Sequence, residues 1–449
     1  MEPFRYHIFV CTQEKPEGVP CCPSSGSMRV LQALHRQLGS QGLDNDVQVT
    51  ACGCLGLCDD GPIMITYPDG VWYHKLKEED VPEIVSCHLR QGNVVSRLAW
   101  TDAPAMKAMA TEHRDHYLAM LKARDEAGTL PDDLYEMSRA FMPSRTLLTA
   151  LELDLFTAVG QGFPAQEIAQ KIHADSRATE MLLNALVSLK LLEKREETFF
   201  NTAASARFFS ASSRDNSRPG LLHVVNLWRR WSTLTECVRQ GTPVSTSRDE
   251  GAVADFIAAM HYNAKERATA VVKAVGTDGI QRVLDLGGGS GAYSVAFAQA
   301  VPGLKSEILD TSEVVPLTQK YIRQAGLSDR ITTRVGDMLR DPLGENHDLI
   351  LLLAICHMFS PNENRDLFKR AFQALGQAGK LVVQDFILEP SKTAPRAAAL
   401  FSLNMLVGTR AGASYSEPEF EGWLREAGFS DIRRVRLPGP SGLMIAVRS

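Results

Sequence analysis

Seven of the nine cysteines fall within the first 87 residues: Cys11, Cys21, Cys22, Cys52, Cys54, Cys58 and Cys87. Thiols gathered in one segment point to a local task, either a metal site or a set of disulfides. Four of them, arranged Cys11-x10-Cys22 and Cys54-x3-Cys58, are spaced to hold zinc or an iron–sulfur cluster. Structural zinc generally uses two tight Cys pairs, and the first spacing here is wide for that. A [2Fe–2S] cluster needs four thiolates from loops whose backbone amides approach the sulfides, and Gly53, Gly56 and Gly61 permit such an approach. A radical site would need Cys-x3-Cys-x2-Cys, but Gly61 stands at the third position, so that reading is dropped.

A second group lies far along the chain. Leu284-Asp285-Leu286-Gly287-Gly288-Gly289-Ser290-Gly291 is a glycine loop able to bring a ligand against the backbone. Its spacing alone suits dinucleotides equally well. Asp310 ends the next apolar run, suitably placed for ribose hydroxyls, and Gly336-Asp337-Met338 follows the run after that, where a carboxylate can take an adenine amino group. Asp285 is read either as a binding residue or as a residue ending its strand. His357, in Ile355-Cys356-His357, lies just beyond another run, at the end of a sheet strand where open α/β sheets bind ligands.

The elements that must hold these residues fall into segments. Residues 5–89 read as a small α/β unit: strand Arg5–Val10 leading into Cys11, a helix over Ser27–Leu38, strand Val47–Thr50, a hairpin Ile63–Tyr67/Val71–Tyr73, and a helix Asp80–Leu89. Residues 91–128 are polar and helix-prone and read as a helical linker. From 129 the pattern is helix after helix, with a stripe Leu147, Leu148, Leu151, Leu155 and Phe156, paired helices Ala165–Ile172 and Arg177–Leu189, and a small wing after them. Such a winged helix either binds DNA or packs and dimerises. From 249 strands and helices alternate: Arg282–Leu286, Lys305–Leu309, Ile331–Val335, Leu349–Leu353 and Lys380–Phe386 are expected to form a parallel sheet. A last pair, Asp431–Leu437 and Gly442–Val447, has no room for a helix between its strands and should form an antiparallel hairpin at the sheet edge. The fold class expected is therefore α/β, and the loop, carboxylates and hairpin together describe a class I methyltransferase binding S-adenosyl-L-methionine.

Composition bounds the rest. A chain of 449 residues suggests roughly three domains at about 150 residues each. A net charge of −5 and a pI near 6.2 argue against a nucleic-acid or membrane-surface binder. No apolar run of about 18 residues is present, and no basic end with a long apolar core opens the chain. A cytoplasmic location is expected, where structural disulfides are rare.

The first segment resembles the thioredoxin-like [2Fe–2S] ferredoxins through Cys11, Cys22, Gly53-Cys54-Leu55-Gly56-Leu57-Cys58, Gly61-Pro62 and Tyr67-Pro68-Asp69-Gly70-Val71-Trp72-Tyr73. The resemblance covers roughly residues 5–90 and implies Cys11, Cys22, Cys54 and Cys58 as cluster ligands. Cys22 is preferred to Cys21 because it stands four residues before Gly26-Ser27. Cys21 and Cys52 depart from the family pattern and leave a ligand swap open; Cys87 is read as packed.

Residues 130–449 resemble the dimeric small-molecule O-methyltransferases related to plant phenolic enzymes. The matching stretches are Leu284–Gly291, Gly336-Asp337-Met338, Ile355-Cys356-His357, Gly379–Asp385, Leu403-Asn404-Met405-Leu406 and Ser416-Glu417-Pro418-Glu419-Phe420. The expected organisation is a thioredoxin-like ferredoxin domain at 1–90, a helical linker at 91–128, a helical, winged-helix-like dimerisation domain at 129–248 and a Rossmann-like methyltransferase domain at 249–449. The resemblance implies His357 as the catalytic base, Asp385 as the carboxylate orienting it, and Asp285, Gly287, Gly289, Gly291, Asp310, Asp337 and Met338 as cofactor-binding residues. The chain departs from the pattern at Ser414, Met358 and Leu353, where the family carries a second carboxylate, an acidic residue and a lysine.

Asn404 and Met405, with Met260 and Phe256, are candidate walls of an acceptor pocket, and Trp228 and Trp231 candidates for its mouth. The partners expected are a small aromatic or enolic acceptor, a second copy of the chain and a redox partner protein, with no nucleic acid and no membrane. Two alternatives stand beside the O-methyltransferase: a methyltransferase-like reductase or hydroxylase drawing electrons from the cluster, and a redox-sensing regulator whose winged helix binds DNA.

Overall fold

Buried and half-buried residues alternate along Tyr6–Val10, which makes this segment a strand with one face on a core. Residues 3–15, 19–126, 132–244 and 252–449 are described in a computed structural model, in which the chain divides into units 1–140 and 141–449.

In the first unit, β1 (Tyr6–Cys11), β2 (Val47–Cys52), β3 (Met64–Tyr67) and β4 (Val71–Tyr73) form a sheet in the order β2-β1-β3-β4. β1 and β2 are parallel, so a crossover must join them, and helix Ser27–Gln41 does so while burying Val30, Leu34 and Leu38 against the sheet. Parallel register sets Cys11 beside Cys52 at the carboxyl ends of both strands. The segment expected to be a linker contains the long helix Ala103–Glu126, and its first turns pack on the cysteine-bearing loops: Met106, Met109 and Ala110 lie against Cys11, Cys22, Leu57 and Ile63.

The second unit opens with helices Phe141–Glu152, Leu155–Val159, Ala165–Lys171 and Ser176–Ser188. β5 (Phe163–Pro164), β6 (Leu192–Arg195) and β7 (Thr198–Asn201) form a small antiparallel sheet beside them. Leu148, Leu151, Phe156, Ile168, Leu183, Leu186 and Phe199 share one core.

The larger sheet contains β8 (Arg282–Leu286), β9 (Lys305–Asp310), β10 (Ile331–Val335), β11 (His347–Leu353), β12 (Leu375–Asp385), β13 (Ser430–Arg436) and β14 (Gly442–Val447). Its order is β10-β9-β8-β11-β12-β14-β13. Five strands are parallel, and β14 pairs antiparallel with both β12 and β13, giving the expected edge hairpin. Two apolar cores cover the two faces. That is why β11, Leu349 to Leu352 above all, is apolar without alternation. The strand order reverses between β8 and β11, and the carboxyl ends of the strands flanking such a reversal form a ligand crevice.

Candidate active site and candidate metal centre

The glycine loop leaves β8 with Gly287, Gly289 and Gly291 all at positive φ. At Gly287 a side chain is also excluded by space: a Cβ there would stand 2.4 Å from Ile355 Cδ1 and 3.1 Å from Met338 Cε. The loop, the segment after β11 and the segment after β10 therefore meet at this glycine. Asp310, at the end of β9, accepts the Gly289 N–H at 2.9 Å and the Thr311 N–H at 2.7 Å. Burial raises its carboxyl above the ordinary range, against the pull of those two amides.

Asp285 is enclosed and accepts from Ser294 Oγ at 2.7 Å, tying the loop to helix Ala292–Ala300. Its carboxyl is pushed up to about 7, chiefly by burial. Asp337 is exposed; its Oδ1 accepts the Leu339 N–H at 2.9 Å, and its own amide donates to Asp341 Oδ2 at 2.7 Å. One residue at this crevice was passed over in the sequence. His261, on helix Ala252–Val275, pairs its Nδ1 with Ser290 Oγ at 3.0 Å and stacks on Tyr321 with centroids 4.2 Å apart. It is next to Met260, which the sequence did single out. A polar residue amid that helix's apolar positions was the available signal.

Beyond β11 the chain turns at Ala354, with φ 61, into Cys356–Met358. His357 is buried, with Nδ1 2.7 Å from Asp385 Oδ1. The other Asp385 oxygen accepts the His357 backbone N–H at 3.0 Å, and the Phe386 N–H donates to Oδ1 at 2.8 Å. The neighbouring strand ends β11 and β12 thus fix both backbone and ring of His357 through one carboxylate. A carboxylate can only accept, so Nδ1 carries a proton, and in the neutral ring Nε2 is the nitrogen left with a lone pair. Phe401 meets the imidazole edge-on at 4.8 Å and stacks on Phe386 at 3.8 Å.

Asn404 Oδ1 accepts from Trp231 Nε1 at 3.0 Å, which leaves the Asn404 amide hydrogens to donate elsewhere. Ser414, where the resemblance implies a second carboxylate, spends its hydroxyl on Ala398 O at 2.9 Å. Met358 is exposed and Leu353 buried. Phe256 is exposed and stands edge-on to His223 at 5.1 Å, and Trp228 packs with the helical core.

All nine cysteines of the chain are free thiols, and in the first unit four of the seven form two close pairs. Cys54 and Cys58 Sγ are 3.4 Å apart. Cys11 and Cys22 are hydrogen-bonded to each other; that bond pulls the Cys11 thiol down to about 6 and pushes the Cys22 thiol up. Burial, then the neighbouring Cys54, raises Cys58 to about 11, opposed by Lys15, whose Nζ donates to Cys58 Sγ at 3.1 Å. Gly61 shapes the space: a Cβ there would fall 2.9 Å from Cys22 Sγ. Cys21 is buried apart from this group, close to Ser24, while Cys52 lies alongside it, raised by burial and by Cys11 and Cys54. Two pairs of thiols in a mainly apolar pocket fit the donor demand of a [2Fe–2S] cluster.

Comparison with known proteins gives three matches along the chain. Residues 236–430 match the O-methyltransferase domain, 135–211 the O-methyltransferase dimerisation domain, and 2–88 the thioredoxin-like [2Fe-2S] ferredoxin family. A 3-hydroxy-5-methyl-1-naphthoate 3-O-methyltransferase of Streptomyces sahachiroi is 32% identical over 332 residues, spanning 71% of this chain and 96% of the relative. The chain belongs to the O-methyltransferase family.

A tetracenomycin polyketide synthesis 8-O-methyl transferase of Streptomyces glaucescens is 30% identical, over 70% of this chain and 96% of the relative. The structure of human N-acetylserotonin methyltransferase in complex with S-adenosylmethionine superposes with a TM-score of 0.63 at 26% identity, covering 70% of this chain and 96% of that one. The family establishes the S-adenosylmethionine-dependent O-methyltransferase read from the sequence, and with it the class I methyltransferase fold. Among the described residues no helix is long and apolar enough to cross a membrane.

Proposed function

We propose that the chain transfers a methyl group to a phenolic or enolic hydroxyl of a small molecule, with His357 as the base. The observation that carries this reading is the His357–Asp385 pair, held at 2.7 Å at the carboxyl end of the sheet. A phenol has a pKa of about 10, so near neutral pH its proton must leave as the oxygen attacks. Asp385 keeps Nδ1 protonated and stabilises the imidazolium that forms when Nε2 takes the acceptor's proton. This dyad stands without the second carboxylate, since Ser414 is committed to a backbone carbonyl. Acceptors whose hydroxyl is already acidic suit it best. The Streptomyces sahachiroi relative acts on 3-hydroxy-5-methyl-1-naphthoate, an aromatic hydroxyl of this class. Phe401, Asn404 and Met405 are assigned to the acceptor wall.

S-adenosyl-L-methionine supplies an activated methyl group. Asp310 is assigned to the ribose hydroxyls, Gly287, Gly289 and Gly291 to the backbone cradle, and Asp337 and Met338 to the adenine end. Asp285 serves that cradle indirectly, by anchoring the loop to Ser294. The catalytic task of the protein is then alignment, exclusion of water and removal of one proton.

Cys11, Cys22, Cys54 and Cys58 are proposed to hold a [2Fe–2S] cluster, which when bound supplies one-electron transfer. A redox partner protein, a cytoplasmic location and a homodimer built on the segment 135–211 complete the reading; Phe141, Met142 and Met181 are exposed apolar residues within that segment. The intact His357–Asp385 pair favours methyl transfer over a reductase or hydroxylase, which has no need of it.

The test uses methyl-labelled S-adenosylmethionine with a panel of hydroxynaphthoates and other hydroxylated aromatics. The expected outcome is label in product, with kcat reduced by about 10²–10⁴ in His357→Gln and cofactor affinity by calorimetry unchanged. A variant as active as the wild type would remove His357 from the mechanism.

A further inference from the structure

The helix Ala103–Glu126 lies outside the ferredoxin-family match, which ends at residue 88, yet it is seated on the cysteine loops. Met106, Met109, Ala110, His113 and Tyr117 are spaced along one face of it and are partly buried, while Lys107, Ala108, Glu112, Arg114, Asp115 and His116 are exposed. The approach is close. A Cβ on Gly56, between Cys54 and Cys58, would stand 3.2 Å from Ala110 Cβ and 3.3 Å from both Ala110 Cα and O. Small residues on both sides therefore let the helix backbone settle onto the loop.

One turn further, a ring nitrogen of His113 and the sulfurs of Cys54 and Cys58 all lie within 4.8 Å of one another. Lys15 Nζ lies 3.1 Å from Cys58 Sγ, is hydrogen-bonded to His113 Nε2 and sits 5.3 Å from the centre of the Tyr117 ring. With the helix in place Cys58, Cys11 and Cys22 are buried, and Cys54 is the exposed thiol of the four.

We infer that this helix is a built-in cover over the Gly56–Cys58 loop and the buried thiols of the cluster site, and that Lys15 and His113 are positioning residues setting the charge and hydrogen bonding around Cys58 and Cys54. The inference rests on the cluster reading given above. Net charge, hydrogen bonds to sulfur and solvent exposure are the protein's means of setting a cluster's potential. A cation against Cys58 favours the reduced cluster, which carries one more negative charge. Met106 and Met109 keep water and oxygen from the sulfides.

The test is made on the full-length chain. Iron and acid-labile sulfide content, with visible and paramagnetic spectra, first establish the cluster in the wild type. Dithionite titration at a mediated electrode then gives its midpoint potential. Lys15→Met and His113→Leu, both partly exposed sites, are expected to keep the iron content; the first removes the cation and moves the potential negative, and the second removes the acceptor that holds Lys15 and shifts the potential from the wild-type value. Ala110→Gln, which forces the helix away from Gly56, is expected to bleach faster in air at an unchanged helical signal.

Potentials and air lifetimes equal to wild type in all three variants would overturn the inference while leaving the cluster reading intact. A chain that binds no iron overturns both. If Cys54→Ser keeps its cluster and His113→Leu loses it, His113 is a ligand and the covering role is wrong.

Discussion

Two carboxylates one strand apart show how much a residue's task depends on what surrounds it. Asp285 stands one residue from the end of β8, and Asp310 ends the adjacent β9 of the same sheet. Asp310 takes the backbone amides of Gly289 in the glycine loop and of Thr311, whereas Asp285 is enclosed against Ser294. Burial raises Asp285 to about 7, helped by the nearby Asp310 charge and opposed by the Ser294 hydroxyl. A carboxyl that binds its proton more tightly folded than unfolded stabilises the fold at acid pH. That contribution is full below the unfolded value of about 4 and is lost as pH rises toward the folded one, at about 1.4 kcal/mol per pH unit. The Asn variant can still accept from Ser294 but has no charge to bury. Relative to Asp285→Asn, the cofactor-free wild type should therefore lose thermal stability of its larger unit steadily from about pH 4 to about pH 7. Parallel pH profiles of the two proteins would contradict this. The contrast was illegible in the sequence because Ser294 and the covering core reach Asp285 only after folding. His261 was missed for a similar reason: its partners Ser290 and Tyr321 come from two other segments.

Elements were more legible where their own residues determine them. The unbroken apolar run of β11, the glycine loop after β8 and the absence of a helix between β13 and β14 each dictated the local outcome, and the sheet followed. Helix Ala103–Glu126 was legible as a helix but not as a cover, since its inner face is five residues among polar ones and its seat is Gly56. The same logic of close approach gives a test at the glycine loop. Gly287 has φ 67 and no space for a Cβ, with Ile355 Cδ1 at 2.4 Å. Gly279 has φ 74 but nothing within 4 Å. Gly279→Ala should therefore cost only backbone strain, about 1–2 kcal/mol. Gly287→Ala adds overpacking of about 1–3 kcal/mol and displaces Ile355, which leads into the turn bearing His357. Thermal midpoints and S-adenosylmethionine affinities of the two variants decide it: equal losses would mean that the meeting of the three segments at Gly287 is unimportant.

At the scale of the whole molecule, the chain carries separate apolar cores. The first unit has its own, around Ile8, Leu34 and Val85, and the second has those of its helical segment and of the two sheet faces. Units with private cores unfold as separate cooperative bodies, so a single unfolding free energy does not describe the chain. Ligands then act on the body that holds them. A cluster bound only by folded Cys11, Cys22, Cys54 and Cys58 stabilises the first unit, since a preformed site does not exist in the unfolded chain. S-adenosylmethionine stabilises the second by mass action, about 2.7 kcal/mol at a hundredfold excess over Kd. Scanning calorimetry of the intact chain should show two transitions. Cys58→Ser should lower one and leave the other in place, and added S-adenosylmethionine should raise only the transition that Cys58→Ser left alone. If both transitions move together in either experiment, the two units are energetically coupled. Cluster loss would then reach the methyltransferase site, and Cys58→Ser would lower the rate of methyl transfer as well as the stability of the first unit.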